Sequence, residues 1–151
     1  MKIEVDDLTR REVLSLLEEH LSNMHELGPP ETVFALDATK LRSPDITFWT
    51  VWDEGLLIGC GALKELSPTH GEIKSMRTPK ALRGKGAGRA TLAHIVDTAR
   101  QRGYRRLSLE TGTVDAFVPA QKLYASFGFS VCGPFADYKE DPYSLFMTME
   151  L

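Results

Sequence analysis

The chain has 151 residues, 42% of them apolar and 26% charged, with a net charge of −3; this is the make-up of one soluble domain able to bury its own core. The acidic balance offers no general attraction to nucleic acid or to an anionic membrane, and the longest apolar runs fall well short of a bilayer span. The first residues, Met1 to Asp7, lack the apolar stretch of a signal peptide, so a cytoplasmic location is expected.

Ile3 to Val5 reads as a short first strand. Thr9-Arg10-Arg11-Glu12 has capping-box spacing, and Val13, Leu14, Leu16, Leu17 and Leu21 follow with helical periodicity to about Met24. Gly28-Pro29-Pro30 breaks that helix, and a short second helix is expected within Thr32 to Leu41. Ile46 to Trp52 and Leu56 to Leu66 read as strands joined by a hairpin turn at Asp53-Glu54-Gly55. Gly71 to Thr78 is the third strand of that meander. A helix follows from Ala87 to Arg102, stopped by Gly103. Arg105 to Glu110 alternates as a half-buried strand does. Pro119 suits the first turn of a further helix, which Gly128 stops. Phe129 to Cys132 and Ser144 to Leu151 close the chain as strands. Cys60 and Cys132 sit in apolar strand-like segments and read as buried thiols, not as a disulfide or a metal pair; no metal is expected.

The most informative stretch is Arg83-Gly84-Lys85-Gly86-Ala87-Gly88, between a strand and a helix. Its glycines allow a tight turn and leave backbone N–H groups unobstructed. The following helix contributes the partial positive charge of its N-terminus. The combination is an anion cradle suited to phosphate, with Arg83 and Lys85 adding full charges. Two nucleotide loops fail on their residues. A Walker loop needs Ser or Thr after the Lys, but Gly86 follows Lys85. A dinucleotide fingerprint needs a last Gly where Arg89 or Thr91 stands.

The remaining pattern, Arg-x-x-Gly-x-Gly between strand and helix, resembles the pyrophosphate loop of the GNAT superfamily of acetyl-CoA-dependent N-acetyltransferases. Leu123-Tyr124-Ala125-Ser126-Phe127-Gly128-Phe129 resembles that family's second signature, and the order of elements agrees along nearly the whole chain. The resemblance implies a single α/β (α+β) domain over residues 1–151, with a mixed, mostly antiparallel central sheet flanked by helices. It also implies transfer of the acetyl group of acetyl-CoA to a primary amine by direct attack, the acceptor being a small molecule. Two alternatives are an acyl-CoA-binding module without turnover and acetylation of a peptide or protein amine. Binding to nucleic acid through Arg105 and Arg106 is disfavoured by net acidity and the lack of a stacking motif. GNAT domains are often dimers, so a homodimer is a possible assembly.

By the same resemblance, Met76, Arg77 and Thr78 lie where backbone groups hold the pantetheine arm and face the thioester oxygen. Arg83, Gly84, Lys85, Gly86, Ala87, Gly88 and Arg89 surround the pyrophosphate. Tyr124 matches the tyrosine that many members use as general acid toward the CoA sulfur. Glu72 is the leading candidate for the base, with alternation placing Glu72, Lys74, Met76 and Thr78 on one side of the strand. Glu110 is its rival, and His20 and His25 are further candidates for which a solvent-facing role is the plainer reading. Acceptor contacts are expected from Met24, Glu110, Phe135 and Tyr138, because carboxylates with aromatic faces suit an ammonium group. One departure stands out: Phe117 occupies a position where many members carry an Asn that contacts the cofactor, leaving Thr111 or Thr113 to supply that contact.

Overall fold

A computed structural model describes all of residues 1–151. The elements are β1 (Lys2–Val5), α1 (Arg11–Leu27), α2 (Ala38–Leu41), β2 (Ile46–Asp53), β3 (Leu56–Ser67), β4 (His70–Arg77), α3 (Ala87–Gln101), β5 (Arg106–Gly112), α4 (Val118–Ser126), β6 (Ser130–Cys132) and β7 (Ser144–Glu150). The strands form one seven-stranded sheet in the order β1-β2-β3-β4-β5-β7-β6. Only the β4–β5 pair is parallel; every other neighbour is antiparallel. The chain therefore builds a meander, crosses over through α3, and closes with a second antiparallel set.

Local chemistry accounts for most boundaries. The β2–β3 hairpin turns at Glu54 and Gly55, both in the left-handed region at φ 49° and 79°, as a two-residue hairpin turn matching strand twist requires. Asp37 caps α2, accepting from the Lys40 N–H at 2.9 Å. The start of α1 differs from expectation. Its N-cap is Arg10, without a side-chain cap, and Thr9 instead gives its hydroxyl to Asp7 at 2.6 Å. An Asp two residues away offers the hydroxyl a closer partner than the helix amides, so the capping box does not form.

Two layers of side chains pack on the sheet. On one face α3 and α4 cover Leu63, Ile73, Leu107, Leu109, Met147 and Met149. On the other, α1 and α2 cover Phe48, Leu57, Cys60 and Ala62. Gly61 marks the tightest approach of α3. A Cβ built there would stand 2.8 Å from Thr91 Cγ2 and Met76 Sδ and 3.0 Å from Ile95 Cδ1. Gly61→Ala should thus destabilise the fold by about 1–3 kcal/mol through overpacking, read as a lower urea midpoint with an unchanged slope.

The sheet opens where β4 and β5 part. Their ladder runs from His70–Arg106 to Ile73–Leu109 and no further, although β4 continues to Arg77 and β5 to Gly112. A bulge in β4 accompanies the parting: Cys60 pairs with Arg77 and Ala62 with Lys74, so β4 carries one extra residue. Ser75 sits there at φ 55°.

That bulge corrects the alternation expected for β4. Glu72 and Lys74 do share a face, and both bond Tyr138. Met76 points the other way, against the α3-covered core. Arg77 returns to the first face and reaches α1. One inserted residue inverts every side chain beyond it.

A candidate active site at the parted strands

The parting of β4 and β5 forms the floor of a cleft of about 860 Å³, within the range of small-molecule sites. Beyond Ile73 the β4 edge that faces β5 has no strand partner, so its N–H and C=O groups are open to an extended ligand. At one end stands the N-terminus of α3. Its N-cap is Gly86 at φ 86°, with no side-chain cap, which leaves the first-turn N–H groups for a ligand. Gly84 is also left-handed, at φ 81°. Lys80, Arg83 and Arg89 line the same end, and Arg89 is steadied by Ser126 Oγ at 3.2 Å and by the Phe127 ring. Uncapped amides surrounded by three cations fit a pyrophosphate.

Of the residues expected at the cofactor, Met76, Arg77, Thr78, Arg83, Gly84, Gly86, Gly88 and Arg89 line the cleft. Lys85 and Ala87 do not. Lys85 is exposed, and Ala87 is buried against Val51 and Ile58 as the residue that seats α3. The Arg77 side chain is engaged by α1. It lies between β4 and α1, giving Nη1 to Asn23 at 2.8 Å and Nη2 to Glu19 at 3.0 Å.

α4 brings Tyr124 to the cleft from the α3-covered face. Gln121 donates to the Gly112 carbonyl at 2.7 Å, fixing the helix to the end of β5. Leu123 packs on Gly88. Tyr124 is buried, with its ring edge-on to Phe129 at 5.9 Å. Burial, and secondarily the Glu110 carboxylate, push its hydroxyl well above the usual phenol range. The side chain therefore holds its proton at any ordinary pH.

Glu110 enters from the opposite face of the sheet. It lies across from Phe146 on β7, and burial raises its carboxyl to about 7. The neighbouring Ser144 hydroxyl and then Lys74 hold that value down, whereas Asp141 and Glu72 push it up. Glu72 also lines the cleft but is already engaged. Its Oε2 accepts from Lys74 Nζ at 3.2 Å and from the Tyr138 hydroxyl at 2.5 Å. It is 3% exposed, so the solvated strand Glu that alternation allows is not what the fold makes of it. His20, a candidate base for which a solvent-facing role is the plainer reading, is buried. Desolvation and then the Arg77 charge depress it to about 4, so it is neutral at pH 7. His25 is exposed on α1.

The acceptor end departs further from expectation. Met24 and Glu110 line the cleft, but Phe135 and Tyr138 do not. Those two rings stack among Phe146, His70 and Phe34, forming the apolar backing that buries Glu72 and Lys74. The aromatic residues on the cleft wall are Phe34, Phe117, Tyr124 and Tyr143. The spacing of aromatics in the 133–143 segment carried no indication of which ones turn inward. Glu19 and Asn23 were missed outright, because partners of a strand arginine on a remote helix leave no local signal.

Phe117 has a clear structural partner. A Cβ on Gly112 would fall 2.1–2.2 Å from its ring carbons, so the ring lies directly on the backbone at the end of β5. Thr111 lines the cleft, whereas Thr113 gives its hydroxyl to the Pro142 carbonyl at 2.7 Å. Gly112→Ala is accordingly expected to displace Phe117 and cost roughly 1–3 kcal/mol in stability, together with a loss of CoA affinity by calorimetry.

Comparison with known proteins agrees with this geometry. Residues 12–129 match the model of the acetyltransferase (GNAT) family. The uncharacterized N-acetyltransferase YsnE of Bacillus subtilis is 57% identical over the whole of both chains. A Klebsiella pneumoniae protein assigned as an acyl-CoA N-acyltransferase superposes with a TM-score of 0.80 at 28% identity, over 99% of this chain and 97% of its own. A Bacillus subtilis acetyltransferase solved in complex with CoA has the same fold, with a TM-score of 0.68 at 18% identity over 99% and 98% of the two chains. The parted strands, the uncapped helix beside a basic glycine loop and these matches lead to one conclusion: the chain belongs to the GNAT family of acetyltransferases and is an acyltransferase.

Proposed function

We propose that the protein transfers the acetyl group of acetyl-CoA to a primary amine of a small molecule, with Glu110 as general base and Tyr124 as general acid. The observation that carries this reading is the placement of those two groups. They enter one cleft from opposite faces of the sheet, one titrating near neutrality and the other fixed in its protonated form.

Acetyl-CoA supplies an activated thioester carbonyl. Amides of the α3 N-terminus with Arg83 and Arg89 hold its pyrophosphate, and the unpaired edge of β4 holds the arm. An N–H of β4 near Met76 polarises the carbonyl oxygen. The Glu110 carboxylate takes the proton of the acceptor ammonium, freeing the lone pair that forms the C–N bond. As the C–S bond breaks, the Tyr124 hydroxyl gives its proton to the sulfur, and the second proton that the nitrogen sheds as the amide forms restores the phenol by way of solvent. A base near 7 is matched to work at neutral pH, which favours Glu110 over Glu72, whose acceptor atom is committed to Lys74 and Tyr138. In this reading Glu72 positions Lys74.

Thiol release from acetyl-CoA, followed across a panel of amines with purified protein, tests the proposal. Release with at least one amine, and acetylated amine as the product, supports it. CoA binding with no release across the panel would leave an acyl-CoA-binding module instead.

A further inference from the structure

Three buried polar atoms that line the cleft have no partner in the protein: Arg77 Nε, Ser75 Oγ and His20 Nδ1. All belong to the wall where α1 meets the β4 bulge. Leaving one such group desolvated and unpaired costs about 1–3 kcal/mol, and three together on a single wall mark a place built for a ligand. The Arg77 side chain is 7% exposed and cannot swing away, because Asn23 and Glu19 hold both terminal nitrogens. Its Nε–H is thus fixed in direction. The Ser75 hydroxyl is held by a left-handed backbone at φ 55°.

The chemistry of this wall is that of an anion receiver. Arg77 outweighs Glu19 in the field it exerts on His20, so the local potential is positive. Glu19 already offsets part of the guanidinium charge, which suits a monoanion better than a phosphate dianion. A guanidinium edge with an adjacent hydroxyl matches a carboxylate. Glu110 presents the opposite chemistry from β5, and Met24, Leu27 and Phe34 supply apolar surface between α1 and the following loop.

We propose, building on the acetyl transfer argued above, that the acceptor is an amine that also bears a carboxylate, the carboxylate seated on Arg77 and Ser75 and the amine directed to Glu110. The substrate class is an amino acid or related amino carboxylate with an apolar body.

Matched pairs test this: L-phenylalanine against 2-phenylethylamine, L-leucine against 3-methylbutylamine, and 6-aminohexanoate against hexylamine. Each is assayed by thiol release from acetyl-CoA with the full chain. The expected result is a kcat/KM at least about tenfold higher for the acid member of one or more pairs, with that ratio falling about tenfold in Arg77→Met. Because Arg77 also ties α1 to the sheet, Ser75→Gly provides a second probe. Glycine tolerates the left-handed backbone there, the substitution removes the hydroxymethyl side chain, and it is expected to lower the same ratio several-fold. Amines that equal or outrun their acid counterparts would overturn the carboxylate proposal while leaving acetyl transfer standing, as would a ratio that neither variant moves. Bound CoA with no release from any pair, while other amines of the panel are acetylated, removes the carboxylate proposal alone, and no release from either the pairs or the panel removes both.

Discussion

Replacing Glu110 by Gln is expected to slow acetyl transfer by about 10²-fold or more, the usual contribution of a positioned base, and to make the folded protein more stable at alkaline pH. Both effects have one cause. The carboxyl stands near 7 because burial disfavours its charged form. In the wild type, kcat/KM should rise with pH through about 7 as the base loses its proton, and this limb should vanish in the variant. The stability effect has a defined sign. In the unfolded chain the group titrates at its ordinary 4.5, so between 4.5 and about 7 the folded state binds the extra proton. Stability conferred by holding that proton is complete below 4.5 and is lost as pH rises through 7. The gap corresponds to roughly 3 kcal/mol at most. Gln is neutral at every pH and escapes this cost, so Glu110→Gln should raise the melting temperature at pH 8 and leave it nearly unchanged at pH 4. A slower enzyme with no gain at pH 8 would mean that Glu110 is not desolvated in the way described. An intact pH limb would move the base to Glu72 or to water.

Tyr124→Phe is the second large effect. The ring stays packed on Phe129, while the hydroxyl that we propose protonates the leaving sulfur is removed. We expect kcat to fall by roughly 10–100-fold, with CoA affinity by calorimetry close to wild type. Since burial and Glu110 hold the hydroxyl above the phenol range, the wild-type profile should show no alkaline decline from this residue below pH 10. A variant with wild-type kcat would reduce Tyr124 to a packing residue and leave solvent to protonate the thiolate. Combining the two substitutions is informative as well. The groups act on different bonds of one transition state, and Glu110 perturbs Tyr124, so their effects should be non-additive.

The Glu72–Lys74–Tyr138 set shapes both results. Lys74 lowers the Glu110 value and is itself anchored by Glu72 and Tyr138. The aromatic layer of Phe135, Tyr138 and Phe146 shields that set from water. In the proposed mechanism these residues act through the charge they hold in place.

Much of this protein was legible in its residues taken in order. Apolar periodicity, the Glu54-Gly55 turn and the glycine loop before Ala87 are local signals, and local signals suffice for helices, strands and an anion cradle. The same holds for the placement of Tyr124, since Leu123 and Gly128 frame its helix within a few residues. The tertiary structure alone decided which side chains share the cleft. A single inserted residue at Ser75 turned Met76 and Arg77 each to the face opposite the one alternation assigns, and no pattern in Gly71 to Thr78 marks it, because the bulge is defined by pairing with Cys60 and Ala62 across the sheet. The choice between Glu72 and Glu110 is of the same kind. Both are strand glutamates of similar setting in sequence, and only partners brought in from distant segments tie up one and leave the other desolvated. Charge and burial are properties of the assembled neighbourhood, whereas turns and periodicity are properties of the chain; the donor site rests on the second and the acceptor site on the first.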